Sequence, residues 1–490
     1  MGSINLFLNS ITMYRLMLYF LLVLVVYSSA LCFLEILPYN GFDILISSIY
    51  LVTICWFSNK LLAKLFKVPI NIESSLITGF ILSLIFGPAS FLSIWPTLTV
   101  GGISAMASKY LIAWKGRHIF NPAAFGAVAS ALILNQGASW WVGSEWMVLP
   151  ILLGGFLILR KVKRFTMVFV FTLGFLLPVI TTGVGKSEYL QDILAFLITS
   201  PILFFSLVML IEPQTSPYKN LNQVLYGILV AVGFYMSASF GIFYLLEASL
   251  LVGNVFAFLV NRSFRKTLKL KEKKQESEDV VSFLFEPNFK FEAGQYLEWT
   301  LPHPKPDSRG VRRFFTISSS PTEGFLMITT RFAEKSSTFK SALKKLESGQ
   351  EISVSNLEGD FTLPRDTEKK LVFIAGGIGI TPFRSMIKYL IDRGEKRDIV
   401  LLYSVKTLEE IVFKYLFDEA KFVGVSAVYV STDTMGFIDQ SMIQKQIPDY
   451  KERYFYISGP QTMVDSFKQT LKAIGISSKQ IRTDFFPGYA

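Results

Sequence analysis

The chain has 490 residues, of which 51 % are hydrophobic, with a formal net charge of +11 and a mean hydropathy of +0.44. A single compact domain is excluded by the length, and an ordinary soluble composition by the apolar content. Two cysteines, Cys32 and Cys55, exclude a plant-type iron–sulfur centre, which needs four thiolates. Of the two histidines, His118 and His303, only one lies in the apolar half, which argues against haem held between facing histidine pairs. Within the apolar half the basic residues sit in short loops between apolar stretches, a placement that fits a membrane protein better than a nucleic-acid binder.

The apolar residues are concentrated before residue 260. A membrane span needs about 20 mostly apolar residues. By that rule the chain predicts about ten spans, near 13–37, 42–58, 73–87, 89–107, 119–136, 146–159, 165–182, 193–211, 222–240 and 242–260. Alternate loops carry Lys60, Lys64 and Lys67; Lys109, Lys115 and Arg117; Arg160, Lys161, Lys163 and Arg164; Lys219; and Arg262, Arg265 and Lys266. The opposite loops carry essentially only Lys186. Positive charge marks the cytoplasmic side, so the expectation is a multi-pass protein of the cytoplasmic membrane with both termini inside.

Three features of this half are candidates for function. The segment Asn121-Pro122-Ala123-Ala124-Phe125-Gly126 follows Arg117 and His118; its plain reading is a helix start with small residues for packing. The segment Glu212-Pro213-Gln214-Thr215-Ser216-Pro217 closes a span, where Pro would simply end a helix. Glu247 is a carboxylate inside the last span, and such groups usually face an interior or a water-filled path. The span order and the first two segments resemble the membrane family of the Rnf complex D subunit and the Nqr complex B subunit, over roughly residues 40–260. That resemblance implies a flavin-carrying subunit of an ion-translocating electron-transport complex, with Asn121, Glu212, Thr215 and Glu247 as candidate functional residues. It also implies a second flavin, FMN or riboflavin. The family's Ser/Thr-Gly-Ala-Thr segment for covalent FMN is absent, and Asn135-Gln136-Gly137-Ala138-Ser139-Trp140 occupies the corresponding outer loop.

Residues 261–276 form a basic linker in which the alternation of Leu268 and Leu270 begins the first strand of a soluble domain. From about 278 the hydrophobic period becomes 2: Val281, Phe283 and Phe285 alternate with Val280, Ser282 and Leu284, predicting a half-buried strand. Short strands and turns over 277–365 predict an antiparallel β-barrel. Over 366–490 strands and helices alternate, which predicts a doubly wound α/β domain. Its first strand is Leu371–Ala375; the turn Gly376-Gly377-Ile378-Gly379 follows, with Thr381 as N-cap and Pro382 as the first residue of a helix ending near Gly394. Further strands are expected at 398–404, 425–431 and 453–458.

Four motifs here carry chemistry. Arg313-Phe314-Phe315-Thr316-Ile317-Ser318-Ser319 offers a cation, an aromatic ring and a hydroxyl within four residues, the set a flavin needs at its diphosphate, its ring and N5. Gly376–Gly379 offers amides and a helix N-terminus to a phosphate. Ser458-Gly459-Pro460 gives small residues that admit a nicotinamide ring, and the tail from Thr483 to Ala490 supplies Phe486. In order and spacing these motifs resemble the ferredoxin–NAD(P)H reductase family across 265–490. The resemblance implies that Arg313, Phe315, Thr316 and Ser318 bind FAD, that Gly376, Gly377, Gly379, Thr381 and Pro382 bind the dinucleotide, and that Ser458, Gly459 and Pro460 line the hydride-transfer site, with Ser458 where Cys is usual. It places Ser336, Ser337 and Thr338 at the flavin diphosphate, Gly294-Gln295-Tyr296 on the first flavin strand and Phe486 over the ring; Thr316, Ser458 and Phe486 are the expected catalytic residues. Ser404 and Lys406 are placed to meet a 2′-phosphate, and no acidic residue occupies 403–407, which points to tolerance of NADPH.

The sequence therefore predicts a polytopic membrane domain (1–260) fused to a cytoplasmic FAD-binding β-barrel (277–365) and an NAD(P)-binding domain (366–490). The expected activity passes electrons from NAD(P)H through FAD to a second flavin, a quinone or a partner subunit, with no metal. Redox-driven Na⁺ or H⁺ translocation is one alternative, and a transporter with a redox-sensing domain is another.

Overall fold

The structure is a computed structural model that describes residues 4, 7–8, 11–68, 71–87, 90–114, 117–183, 189–241, 245–261, 266–286, 289–307, 309–334 and 336–486. Lys115, Lys186, Arg262, Arg265 and residues 487–490 lie outside them, as does the side chain of Phe486. The chain divides into two compact units, Met1–Arg262 and Ser263–Ala490.

The first unit is helical: α1 (Met13–Phe33), α2 (Gly41–Leu65), α3 (Ile72–Ile85), α4 (Phe91–Leu111), α5 (Pro122–Leu134), α6 (Val148–Val162), α7 (Phe165–Gly183), α8 (Tyr189–Thr199), α9 (Asn220–Ser239) and α10 (Leu245–Val260). A two-residue ladder pairs Ala113–Trp114 with Arg117–His118 ahead of α5. A helix falls in every predicted apolar stretch, but ten membrane spans do not follow. Among the described residues four helices, α1, α2, α4 and α9, are long and apolar enough to cross a membrane. A fifth crossing is available if Leu190–Thr199 and Ile202–Met209, bent by 67°, count as one. The rest are shorter than a bilayer's hydrocarbon core demands at 1.5 Å per residue, or are interrupted.

On α10 the polar residues Glu247, Asn254 and Asn261 recur at seven-residue spacing, Asn261 lying just past the helix end. Two helical turns separate them, so they share one face. Each is tied inward: Glu247 accepts from Trp140 Nε1 (3.0 Å), Asn254 donates to the Thr215 carbonyl (3.1 Å), and Asn261 donates to the Ser216 carbonyl (2.9 Å).

The second unit holds two sheets. The first is antiparallel, from β1 (Lys266–Gln275), β2 (Val280–Glu286), β3 (Tyr296–Thr300), β4 (Arg312–Thr316), β5 (Leu326–Arg331) and β6 (Glu351–Glu358), in the order β4-β3-β6-β1-β2-β5. It is an open sheet and not the closed barrel that the sequence predicts, with β4 and β5 at its ends. Just past β4 the two ends touch: the Ser318 amide donates to the Met327 carbonyl (2.8 Å) and the Met327 amide to Ser319 Oγ (3.0 Å). Strand β2 is buried on both faces, not one. Val281, Phe283 and Phe285 join Trp299 in the core of this sheet, while Val280 enters the core of the second. The short helix α11 (Thr338–Lys345) caps one end.

The second sheet is parallel, from β7 (Leu371–Gly376), β8 (Ile399–Val405), β9 (Val425–Ser431), β10 (Tyr454–Pro460) and β11 (Ile481–Phe486), in the order β9-β8-β7-β10-β11. Strand β7 is buried along its whole length, which is why it reads as an unbroken apolar run. Helices α12 (Thr381–Arg393), α13 (Lys414–Glu419), α14 (Gln440–Gln446) and α15 (Gln461–Ala473) connect the strands. Thr381 is not the N-cap: a 3₁₀ turn over Gly377–Ile380 already winds the backbone, so Ile380 takes the cap position and Thr381 is the first helical residue. Gly394, left-handed at φ +61°, ends α12.

Candidate functional site

The strand order reverses between β7 and β10. In doubly wound sheets ligands bind in the crevice at the carboxyl ends of the strands where that reversal falls. Here those ends are the Gly376–Gly379 turn and Ser458–Pro460, so the two nucleotide motifs meet at one place. The turn is shaped by two glycines. Gly377 has φ +52° with open space where a side chain would stand, and a Cβ on Gly379 would lie 2.3 Å from the Ser458 carbonyl oxygen. Ser458 Oγ is fully buried and has no hydrogen-bond partner among the described residues. An unpartnered buried hydroxyl beside an open, amide-lined turn at a helix N-terminus fits a dinucleotide.

Strand β11 joins this crevice to the antiparallel sheet. In register, Asp484 stands beside Ser458 and Phe486 beside Pro460. The hydroxyl of Thr316, which is buried, donates to Asp484 Oδ2 at 3.4 Å. The backbone positions of the three expected catalytic residues, Thr316, Ser458 and Phe486, thus converge through a carboxylate that the motifs did not point to. On the neighbouring strand Tyr296 donates to Glu358 Oε2 (3.4 Å) and stands edge-on to Phe314, ring centres 5.7 Å apart. Burial and the Glu358 carboxylate push the Tyr296 phenol above its usual range.

At the other end of β4, Arg313 Nη2 donates to both oxygens of Asp307 (3.0 and 3.2 Å), and Nη1 to the carbonyls of Arg309, Gly310 and Arg312. The guanidinium lies over the Phe339 ring. Phe315 packs against the same ring at 5.9 Å, so Phe315 faces inward while Phe314, on the side of Thr316, is 56 % exposed. Ser337 caps α11 by accepting from the Lys340 amide (3.3 Å), and Thr338 Oγ1 meets His303 Nε2 (3.0 Å) and the Asp307 amide (3.0 Å). Ser336 donates to the Ala333 carbonyl three residues earlier (2.8 Å). Ser318 does not face this site: its hydroxyl is inside the sheet, on the Met327 carbonyl (3.0 Å) and Thr329 Oγ1 (2.9 Å), where it holds the sheet's two ends together. Burial first, then the nearby guanidiniums of Arg309, Arg313 and Arg331, bring the Lys340 ammonium down to about 8.

Ser404 and Lys406 close β8, where the Lys406 carbonyl accepts from Ser431 Oγ (3.0 Å) and from the Asp433 amide (3.2 Å). The fold therefore brings an acidic residue, Asp433, to a place the local sequence left free of one. Phe437, on the same post-β9 segment, is 84 % exposed.

In the helical unit the two motif segments are brought together. The Asn121 side chain caps α5 through the Ala124 amide (3.0 Å), and its own amide donates to Asn254 Oδ1 (2.8 Å). Asn254 in turn reaches Thr215, and Glu212 meets His118 Nε2 (3.3 Å) and Thr215 Oγ1 (3.1 Å). A small cleft lies between Tyr14, Ser74, Thr78, Asn121 and Glu212. Glu247 is not part of this cluster; its partner is Trp140. Among the described residues no cluster of metal-ligating side chains occurs.

Fold and crevice together define a dinucleotide-binding domain, and residues 373–469 match the family described as oxidoreductase NAD-binding domain. The chain is similar to a flavohemoprotein of Halalkalibacterium halodurans, 26 % identical over 250 residues that make up 46 % of this chain and 60 % of that protein. It is similar to the glycine betaine monooxygenase reductase subunit of Chromohalobacter salexigens, 27 % identical over 229 residues, 43 % of this chain and 61 % of that one. It is also similar to the NADH oxidoreductase HCR of Escherichia coli, 27 % identical over 209 residues, 41 % of this chain and 63 % of that one. The chain thus spans somewhat over half the length of the curated relatives it matches.

Proposed function

We propose that the chain is an NAD(P)H-dependent flavoprotein oxidoreductase whose catalytic unit begins after Arg262. The observation that carries this reading is the meeting, at the reversal of strand order, of the glycine turn, Ser458–Pro460 and, through Asp484, Thr316. A bound FAD would supply the two-electron acceptor for hydride from nicotinamide. Arg313 and the start of α11 would hold its diphosphate, with Tyr296 and Phe314 beside its ring. Amides of the Gly376–Gly379 turn and the N-terminus of α12 receive the dinucleotide diphosphate. Gly459 and Pro460 keep the floor low enough for a planar ring. Thr316 holds a proton at Oγ, with Asp484 as its acceptor. The names of the similar proteins, a monooxygenase reductase subunit and an NADH oxidoreductase, support the same chemistry. The test is flavin content per polypeptide in the full-length protein and in residues 265–490, followed by NAD(P)H oxidation with ferricyanide. Loss of bound flavin in Arg313→Ala is expected; full retention would remove Arg313 from the site.

The first unit serves as a membrane anchor that receives the electrons. Its apolar helices, its loop charges and the resemblance of its motifs to the Rnf D and Nqr B subunits support that placement, with a second flavin, a quinone or a partner subunit as acceptor. A second reading, ion translocation coupled to this electron flow, is favoured by the inward-facing polar row Glu247, Asn254 and Asn261 on α10. NAD(P)H oxidation in sealed vesicles that moves neither Na⁺ nor H⁺ would end it.

A further inference from the structure

Arg313 is the cation expected at a flavin diphosphate, yet its guanidinium already grips a carboxylate. Asp307 takes two bonds from Arg313 Nη2 (3.0 and 3.2 Å), one from Arg309 Nη2 (3.5 Å) and one from the Thr338 amide at the start of α11 (3.3 Å). A guanidinium nitrogen and a helix N-terminal amide converging on one anion are donors of the kind that bind a phosphate. Both oxygens of the carboxylate are held by the one nitrogen Nη2, and two oxygens of a phosphate offer that donor the same charge. Further cations stand nearby, of which Arg331 is paired with Asp279 and Glu410. Arg309, Arg313 and Arg331 surround Lys340, whose Nζ donates to the Arg331 carbonyl (2.8 Å). Burial opposes charge on Asp307, but the Arg309 amide and the Arg313 and Arg309 guanidiniums outweigh it and keep its carboxyl below the usual range. The carboxylate is therefore ionised and seated as an anion in an anion's place.

We infer that Asp307 is an internal occupant of the flavin diphosphate seat, holding Arg313 and α11 together until a dinucleotide diphosphate displaces it. This rests on the reading of Arg313 as a flavin ligand. Asp307 acts here as a competitor and not as a brace for Arg313, and the two roles predict opposite effects. The experiment strips flavin from full-length protein in detergent and follows FAD rebinding by quenching of its fluorescence. For Asp307→Asn, which keeps the size and the hydrogen bond but removes the charge, the expected result is FAD binding tighter by about tenfold, with faster association. Unfolding temperature should fall in the flavin-free variant and stay unchanged in the loaded one, because the Asp307 bonds exist only without flavin. Asp307→Glu, which retains the charge, should behave like the native protein. Weaker FAD binding in Asp307→Asn would make Asp307 a brace and overturn the inference. An unchanged affinity alongside a weakened Arg313→Ala would overturn it too. An unchanged Arg313→Ala would instead bring down the flavin assignment beneath it.

Discussion

Gly377 and Gly379 stand two positions apart in one turn and carry different constraints. At Gly377 the backbone is left-handed and nothing stands within 4 Å of a side-chain position, so Gly377→Ala meets only conformational strain, about 1 kcal/mol. At Gly379 the obstacle is backbone on the next strand, so Gly379→Ala must separate β7 from β10 and should cost about 3 kcal/mol. Chemical denaturation of the two variants distinguishes them, and equal losses would contradict the packing described. Asp484→Asn should slow NAD(P)H-dependent flavin reduction while sparing flavin occupancy, as stopped-flow absorbance will show. Lys340 gives a pH signature. Unfolded, it keeps its proton to about 10.5; folded, it releases it near 8. Between those values the unfolded chain binds more protons, so stability rises with pH across that window, and Lys340→Met should flatten the rise in thermal melts of flavin-free protein. Arg313, Thr316, the glycine turn and Ser458 were legible in the sequence because each lies in a contiguous motif. Asp307, His303 and Asp484 were not. Their partners lie 6, 35 and 168 positions away, and only the fold pairs them.

At the scale of elements, hydrophobic period predicted four of the five parallel strands to within two residues, and it missed β11, where Arg482, Thr483 and Asp484 interrupt the apolar run. It misjudged β2, because a covering layer from the second sheet is invisible to one strand's own alternation. It also misplaced the start of α12, where a 3₁₀ turn continues into the helix without a side-chain cap. The two sheets are joined by α12 itself. Arg384 donates to the Ser318 carbonyl (3.1 Å) and forks onto Glu323, and Ser385 Oγ donates to the Ser319 carbonyl (2.5 Å). Arg384 is nearly fully buried, so Arg384→Met should destabilise the second unit by about 3–5 kcal/mol through the stranded Glu323 carboxylate. Arg384→Met paired with Glu323→Gln should recover part of that loss in urea titrations. No recovery would mean that the pair is not the joint.

At the scale of the molecule, the sequence placed the change from apolar helices to sheets near residue 260, and the compact units divide at Arg262. It expected about ten crossings where four or five described helices are long and apolar enough, because apolar composition says nothing of helix length. All the groups assigned to flavin and dinucleotide lie after the division, so residues 265–490 should retain ferricyanide reduction by NAD(P)H at near the full-length rate. A drop of tenfold or more would mean that the helical unit completes the site.

The row of Glu247, Asn254 and Asn261 has a consequence for how the chain is made. Glu247 is buried in the first turn of α10, and the helix carries a second buried polar residue, Asn254, two turns further on. By itself such a helix leaves both side chains without their partners. The groups that satisfy it, Trp140, Thr215, Asn121 and Tyr226, are all synthesised earlier in the chain. The last helix of the unit therefore meets polar partners that precede it in the chain, and its packing waits on no later segment.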